Sequence, residues 1–147
     1  GNISYDPANH QAMTDMRSDK IAKVADFIPD QELEQGTPGG LVVVAWGSTY
    51  GTLHQAVLES IRAGFKVAQV HLRYINPLPK NLGELLGQFD TVLVPELNTG
   101  QLSTLLRDKL LLPVRQLNKV TGQPFTVQEV RQAIEEHARP RLQEVRS

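Results

Sequence analysis

The chain has 147 residues, 40% of them hydrophobic, a size that fits one domain with a flanking segment rather than two full domains. Its 15 Lys and Arg nearly balance 16 Asp and Glu, and the formal net charge of −1 excludes a broad basic field that would attract nucleic acid or anionic lipid. The absence of cysteine excludes disulfides, iron–sulfur ligation and thiolate zinc sites within the chain.

The chain begins with GNISYDP, without an initiator Met, a basic start or an apolar signal core. This start indicates a cut inside a longer protein, although a Gly left by tag removal would give the same first letter. The apolar runs are far shorter than the roughly 18 residues that cross a bilayer. We therefore expect a soluble, cytoplasmic chain with no membrane or nucleic-acid partner.

A helix is predicted at the N-terminus, because Asp6 followed by Pro7 favours a helix start. Its C-terminal half carries apolar residues at helical spacing: Ile21, Val24 and Ile28. We expect residues 1–28 to form a helix that docks by one end.

A domain boundary is predicted at residues 29–40, PDQELEQGTPGG, where two Pro and three Gly in a polar background favour a flexible linker. The main domain then covers residues 41–138. Residues 139–147 are predicted to be a charged tail that frays.

Four apolar runs separated by helical periods follow the linker, an alternation typical of βαβ units around a parallel sheet. The predicted strands lie at 41–46, 66–75, 91–95 and 114–117. The first and third are almost continuously apolar, as expected of central strands covered on both faces. In the second, Gln69, His71 and Arg73 share a polar face, so we expect an edge strand with one less buried side.

Helices are predicted between and after the strands, because apolar residues recur there at helical spacing. Capping-box spacing indicates two of their starts, Asn81 with Glu84 and Thr126 with Glu129. Right-handed crossovers favour the strand order 2-1-3-4, in which the chain reverses between strands 1 and 3. Ligands of open α/β sheets usually bind in the crevice at such a reversal.

The turn after the first strand, GSTYGT at residues 47–52, would flank this crevice. Its candidate anion-binding residues are Gly47, Ser48, Thr49 and Gly51, because free backbone amides at a helix start favour negative charge. Alternatively, the glycines only permit a tight turn, and a hydroxyl of Ser48, Thr49 or Thr52 caps the helix.

A flavodoxin-like site for FMN is the functional alternative for the same turn. The loop ELNTGQL after the third strand contains no aromatic residue to stack on a flavin, and the chain lacks the acidity of flavodoxins. The frame Gly-x-x-x-Gly also places Thr49 where a hydrolase carries its nucleophile, but no suitably placed His accompanies it. The four His are scattered, and no metal site is predicted.

Two further loops carry candidate polar contacts. Glu96 and Asn98 follow the third strand; either Asn98 or Thr99 caps the next helix, or these polar residues contact a neighbouring domain or a ligand at the chain reversal. After the second strand, Pro77 and Pro79 set a rigid loop that suits an interface or merely leads into the next helix.

Five segments together resemble the C-terminal part of the α subunit in the 2-oxoacid:ferredoxin oxidoreductase family, in particular its 2-oxoglutarate enzymes. They are GNISYDPANH, VVVAWGSTYG, HLRYINPLPKNLGELL, VLVPELNTGQLSTLLRDK and NKVTGQPFTVQEV. RYINPLPKN and PELNTGQL are the most specific pieces. The resemblance covers nearly the whole chain, and the first helix resembles the segment that leads out of the preceding domain.

The resemblance implies a three-layer α/β/α sandwich similar to the C-terminal domain of transketolases. It also implies a parent enzyme that uses thiamine diphosphate, Mg and an iron–sulfur cluster to convert a 2-oxoacid such as 2-oxoglutarate into acyl-CoA (succinyl-CoA), CO2 and reduced ferredoxin. The implied partners are the preceding pyrimidine-binding domain, the β subunit, ferredoxin and CoA.

The same resemblance implies a domain that has no catalytic residue or cofactor of its own and that serves subunit assembly. The candidate interface residues follow the first three strands: Tyr50, Arg73, Asn76, Glu96, Asn98 and Gln101. The sequence leaves open the preferred 2-oxoacid and the oligomeric state.

Overall fold

A computed structural model describes residues 7–97 and 100–138. The helices are α1 (Pro7–Val24), α2 (Tyr50–Arg62), α3 (Leu82–Leu86), α4 (Gln101–Leu110) and α5 (Val127–His137). The strands are β1 (Gly39–Trp46), β2 (Val67–Leu72), β3 (Phe89–Glu96) and β4 (Val114–Asn118). Two short 3-10 turns, Ala25–Phe27 and Gly47–Thr49, follow α1 and β1.

The four strands form one parallel sheet with the order β2-β1-β3-β4, which confirms the predicted order. Val43 in the centre of β1 lies opposite Gln69 of β2 and Leu93 of β3. The two almost continuously apolar runs thus lie in the middle, where both faces of a parallel sheet are covered.

Helices cover both faces of the sheet and complete the predicted three-layer sandwich. On one face, Val43 packs in a cluster with Leu53 of α2 and Ile134 of α5. On the other face, Val44 belongs to a cluster that includes Leu106 of α4 and side chains of α3. Each such fully buried aliphatic side chain contributes about 1.5–3 kcal/mol, so the two clusters supply the main stabilisation of the fold.

One predicted capping box is confirmed and the other is wrong. The Thr126 hydroxyl accepts from the Glu129 amide at 3.1 Å, and the Glu129 carboxylate accepts from the Thr126 amide at 3.3 Å. Asn81 precedes α3 but makes no side-chain cap. Its amide group is instead hydrogen-bonded to the backbone of Gln31, 50 residues earlier.

Residues 29–36, called the strap below, lie along the outer edge of β2. The Glu34 amide donates to the Gln69 carbonyl at 2.8 Å, and the Gln69 amide donates to the Gln35 carbonyl at 3.0 Å. These bonds form an antiparallel bridge and cover the edge, which would otherwise expose unpaired donors and acceptors. The predicted linker thus contains a segment hydrogen-bonded to the sheet, and the domain boundaries remain a prediction.

The exposure of the second strand differs from the prediction because the strap covers part of it. Gln69 is fully buried rather than on a less buried face, because the strap covers it. His71 is half-buried, and only Arg73, beyond the end of β2, is exposed. The prediction that β2 is an edge strand of the sheet is confirmed. The prediction that one side of this strand is less buried is correct only at its carboxyl end.

Helix α1 exposes much of its apolar surface. Met13 and Met16 are 48% and 59% exposed, and Val24 is 52% exposed. Ile21 and Ala22 face a groove of about 400 Å³ that the 75–79 loop and α4 complete. No helix within the described ranges is long and apolar enough to cross a membrane.

Candidate functional site

A cleft lies at the carboxyl ends of β1 and β3, where the chain reverses direction in the sheet. Its volume is about 180 Å³. Seven residues line it: Trp46, Gly47, Ser48, Thr49, Pro95, Glu96 and Leu97. The cleft therefore combines the turn and the loop that the sequence places on either side of the crevice.

The glycine-bracketed turn enters α2 through a 3-10 turn rather than through a side-chain cap. Gly47 has a φ of +72°, a conformation that suits glycine. The Thr49 hydroxyl donates to the Trp46 carbonyl at 3.1 Å and makes no cap on α2. Ser48 is exposed at the cleft. The expected hydroxyl cap is thus wrong for Thr49, whose hydrogen bond tightens the turn.

Glu96 is the buried polar group of the cleft, only 2% exposed. Its Oε1 accepts from the Leu102 amide at 2.6 Å, and its Oε2 accepts from the amide and the hydroxyl of Ser103 at 3.2 Å each. These amides belong to the first turn of α4, where backbone donors lack partners within the helix. Glu96 therefore caps α4, a role for which the sequence indicated Asn98 or Thr99 instead.

The other two candidates in this loop contribute less to the described site. Asn98 lies outside the described residues. Gln101 is the first residue of α4, and its side chain is exposed. Gly100, with a φ of +101°, directly precedes α4 and has no side chain that could cap the helix. The Glu96 carboxylate takes the place of a cap from the N-cap residue.

A second polar cluster lies between the strap, the start of α2 and the end of β2. The Tyr50 hydroxyl donates to Glu34 at 3.3 Å. The Tyr50 ring stacks on His54 with centroids 5.4 Å apart and meets His71 edge-on at 5.0 Å. Arg73 adds a positive charge close enough to affect both Tyr50 and His71.

Sequence reasoning missed two members of this cluster. His54 lies four residues after Tyr50, a helical spacing that brings the two rings together and could have indicated their contact. No sequence pattern indicates that Glu34 contacts Tyr50, because only the path of the strap brings the two residues together. Asn76, another candidate, lies in the loop after β2 and lines the groove beside α1 rather than this cluster.

Burial and neighbouring charges shift two pKa values in this cluster. Desolvation, followed by the Glu34 carboxylate, raises the pKa of Tyr50 above its ordinary 10.0. Desolvation lowers the pKa of His71 below its ordinary 6.5; Arg73 adds to this effect and Glu34 opposes it. Both shifts favour the uncharged forms of Tyr50 and His71 at neutral pH.

The lowered pKa of His71 predicts an acid-dependent loss of stability. Below pH 6.5 the unfolded chain binds more protons at this position than the folded chain. The free energy of unfolding therefore falls as the pH decreases from 6.5 through the lower folded-state pKa.

Thermal unfolding at pH 7.5 and at lower pH, compared between the wild type and His71→Asn, measures this contribution. We expect the variant to lose less stability on acidification than the wild type. His137→Asn, at an exposed position in α5, serves as the matched control. Equal pH dependence of the wild type and His71→Asn would contradict the assignment.

The amino-acid sequence matches the family described as pyruvate:ferredoxin oxidoreductase core domain II, over residues 40–139. It is 42% identical over 146 residues to 2-oxoglutarate oxidoreductase subunit KorA of Mycobacterium tuberculosis, covering 99% of this chain and 22% of that protein. It is 29% identical over 138 residues to the α subunit of 2-oxoacid:ferredoxin oxidoreductase 1 of Aeropyrum pernix, covering 88% of this chain and 22% of that protein.

Two solved structures share the fold of this chain. The 2-oxoglutarate:ferredoxin oxidoreductase from Magnetococcus marinus, solved with 2-oxoglutarate, coenzyme A and succinyl-CoA bound, superposes with a TM-score of 0.80 at 28% identity. The match covers 93% of this chain and 24% of that one. A split-gene transketolase, an inactive β4 tetramer, shares the fold with a TM-score of 0.56 at 16% identity, over 69% of this chain and 39% of that one.

These comparisons confirm the resemblance and the transketolase-like fold. The chain spans less than a quarter of the length of the two curated relatives named above. Because the family match covers 100 of its 147 residues, the chain belongs to the pyruvate:ferredoxin oxidoreductase core domain II family.

Proposed function

We propose that this chain is a non-catalytic domain in the α subunit of a thiamine-diphosphate-dependent 2-oxoacid:ferredoxin oxidoreductase. The parent enzyme would convert 2-oxoglutarate and CoA into succinyl-CoA and CO2 and pass the electrons to ferredoxin. The observation that carries the proposal is the family match over residues 40–139, together with relatives that are subunits of such enzymes.

The cofactors of the parent enzyme do not fit the cleft at the sheet reversal. Ligand pockets usually have about 300–1,000 Å³, and the cleft at the sheet reversal has about 180 Å³. Within the described ranges, no group of three or more His, Asp or Glu could hold a metal ion such as Mg. The chain has no cysteine for an iron–sulfur cluster. We propose that other parts of the enzyme bind the cofactors.

The carboxyl edge of the sheet is the proposed assembly surface. Four large apolar or aromatic side chains are exposed there by 38–46%: Trp46, Tyr50, Tyr74 and Leu97. They lie at or just beyond the carboxyl ends of the three neighbouring strands β1, β2 and β3, and Arg73 is exposed beside them. Exposed apolar side chains that cluster in this way are typical of protein interfaces. The preceding pyrimidine-binding domain and the β subunit are the proposed partners of this edge.

Helix α1 is the second proposed contact with the rest of the subunit. Its exposed apolar side chains, such as Met16 and Val24, leave the helix without an apolar partner along much of its described length. A largely exposed helix of this kind gains stability by packing on a further surface. We propose that the preceding domain supplies that surface.

An assay of the purified chain tests the proposal. We expect no turnover with 2-oxoglutarate, CoA and a one-electron acceptor, no flavin absorption band, and no shift of the Ser48 and Thr49 amide signals on titration with phosphate, thiamine diphosphate or CoA. Turnover by the chain alone would overturn the non-catalytic role. A flavin band would favour the flavodoxin-like alternative, and a specific amide shift would favour an anion-binding module at residues 47–52.

A further inference from the structure

We infer that Asn81 is a latch that fixes the direction in which α1 leaves the domain. The inference rests on the proposed function in one respect only, namely that α1 connects this domain to the preceding part of the α subunit. The latch itself is a property of this chain, and it is argued below from the contacts of Asn81, Gln31, Lys80 and Asp26.

Asn81 binds the strap through both ends of its side-chain amide. Its Oδ1 accepts from the Gln31 amide at 2.7 Å, and its Nδ2 donates to the Gln31 carbonyl at 2.8 Å. One side chain thus satisfies both backbone polar groups of a residue that is 50 positions away in the sequence. Such a pair of short hydrogen bonds fixes the position and the orientation of the Gln31 peptide groups.

This contact replaces a local role for which Asn81 is well suited. Asn is a preferred N-cap residue, and Glu84 lies at the spacing of a capping box. Nevertheless, α3 begins without a side-chain cap, and the Leu82 amide donates to the Pro79 carbonyl at 3.1 Å instead. The structure therefore uses the amide of Asn81 for a long-range contact at the expense of a helix cap.

Two further contacts anchor the same stretch of chain. Lys80, next to Asn81, forms an ion pair with Asp26 in the 3-10 turn that follows α1. The Gln31 side chain donates to the His71 carbonyl at 3.1 Å. The start of α3 and the end of β2 thus hold the chain at residues 26 and 31, immediately after α1.

The anchors determine where α1 lies relative to the sheet. The side chains of residues 11–24 are all exposed, so α1 is not held by a buried face of its own. Its direction depends on the backbone between Asp26 and Gln31 and on the groove that Ile21 and Ala22 face. A fixed α1 would present the rest of the subunit to the domain in one orientation, which lowers the entropic cost of assembly.

Distance measurements between spin labels on the purified chain test the latch. The chain has no natural cysteine, so Arg17→Cys in α1 and Glu136→Cys in α5 give two specific labelling sites at exposed positions. In the doubly labelled chain with the natural Asn81, we expect one narrow distribution of distances between the two labels. When Asn81→Ser is added to that chain, we expect a clearly broader distribution. Serine is also a preferred N-cap residue and could supply the cap that α3 lacks, so the midpoint of thermal unfolding should change little.

Hydrogen exchange gives a second measurement. Loss of the bond to Asn81 should speed exchange of the Gln31 amide by about tenfold or more. Asn118→Ser, which removes an exposed amide at the opposite edge of the sheet, should leave both measurements unchanged. If Asn81→Ser does not fold, Asn81→Asp replaces it: the variant keeps the acceptor for the Gln31 amide but sets a carboxylate oxygen against the Gln31 carbonyl, so it should also broaden the distance distribution.

A narrow and unshifted distribution with unchanged Gln31 exchange in a folded Asn81 variant would overturn the latch. A broad distribution in the labelled chain with the natural Asn81 would also overturn it. Neither result bears on whether the domain belongs to an oxidoreductase, because the experiment uses only this chain. Conversely, turnover by the purified chain would overturn the proposed function and leave the latch intact.

Discussion

Glu96→Gln should lower the free energy of unfolding by about 2 kcal/mol, and Glu96→Leu should lower it by about 3–5 kcal/mol. The Glu96 carboxylate is 2% exposed and accepts three hydrogen bonds from Leu102 and Ser103. Glutamine keeps one acceptor oxygen but places an NH2 group against the Ser103 amide. Leucine leaves all three donors without an acceptor in a buried position.

Chemical denaturation of the purified variants measures these losses. Glu84→Gln, at an exposed position in α3, is the matched control and should change the free energy of unfolding by less than about 0.5 kcal/mol. If Glu96→Gln were as stable as this control, the cap on α4 would contribute nothing.

Gly36→Ala should be destabilising by about 2–4 kcal/mol and should detach the strap from β2. Gly36 has a φ of +86°, which disfavours any L side chain. A Cβ at this position would lie 2.5 Å from the Ala68 Cα and 2.8 Å from the Ala68 Cβ. The backbone of the strap must therefore move away from β2 to accommodate a methyl group.

Gly122→Ala separates the cost of the positive φ from the cost of the steric clash with β2. Gly122 has a similar φ of +76°, but a Cβ there would meet nothing within 4 Å. We expect this control to lose only about 1 kcal/mol, from the backbone conformation alone. Denaturation measures both variants, and hydrogen exchange at the Glu34 amide reports the strap. Equal losses for the two glycines, with Glu34 still protected, would show that the strap does not depend on close approach at Gly36.

The arrangement of the sheet was predictable because the relevant signals are local. The continuous apolar runs at β1 and β3 indicate central strands, and the handedness of crossovers then limits the order. The position of the cleft follows from that order, since the chain reverses between neighbouring central strands. The capping box at Thr126 was predictable for the same reason, because both of its partners lie within one helical turn.

The contacts that the sequence did not reveal join distant residues. Asn81 has a good local role as a cap, but it binds Gln31, and no pattern in the sequence marks this choice. Glu34 and Tyr50 meet because the strap follows β2, although the Pro and Gly of residues 29–40 favoured a flexible linker. Local propensity predicts the conformation that a segment prefers, whereas tertiary packing determines which side chains it meets.

The candidate interface includes residues whose placement was predictable and one whose side-chain direction was not. Tyr50 and Arg73 lie at the exposed carboxyl edge, as expected for residues that follow parallel strands. Glu96 follows a strand in the same way but points into the protein, because the first turn of α4 offers unpaired amides close by. Position at the edge of the sheet was therefore predictable, whereas the direction of each side chain was not.

The most direct measurement of the central claim uses the natural protein. An antibody raised against this chain would isolate the polypeptide that contains it from cells that produce it. We predict a polypeptide several times larger than 16.3 kDa, recovered with CoA-dependent oxidation of 2-oxoglutarate and reduction of a one-electron acceptor. A natural polypeptide of 16.3 kDa that carries its own bound cofactor and no such activity would contradict the account.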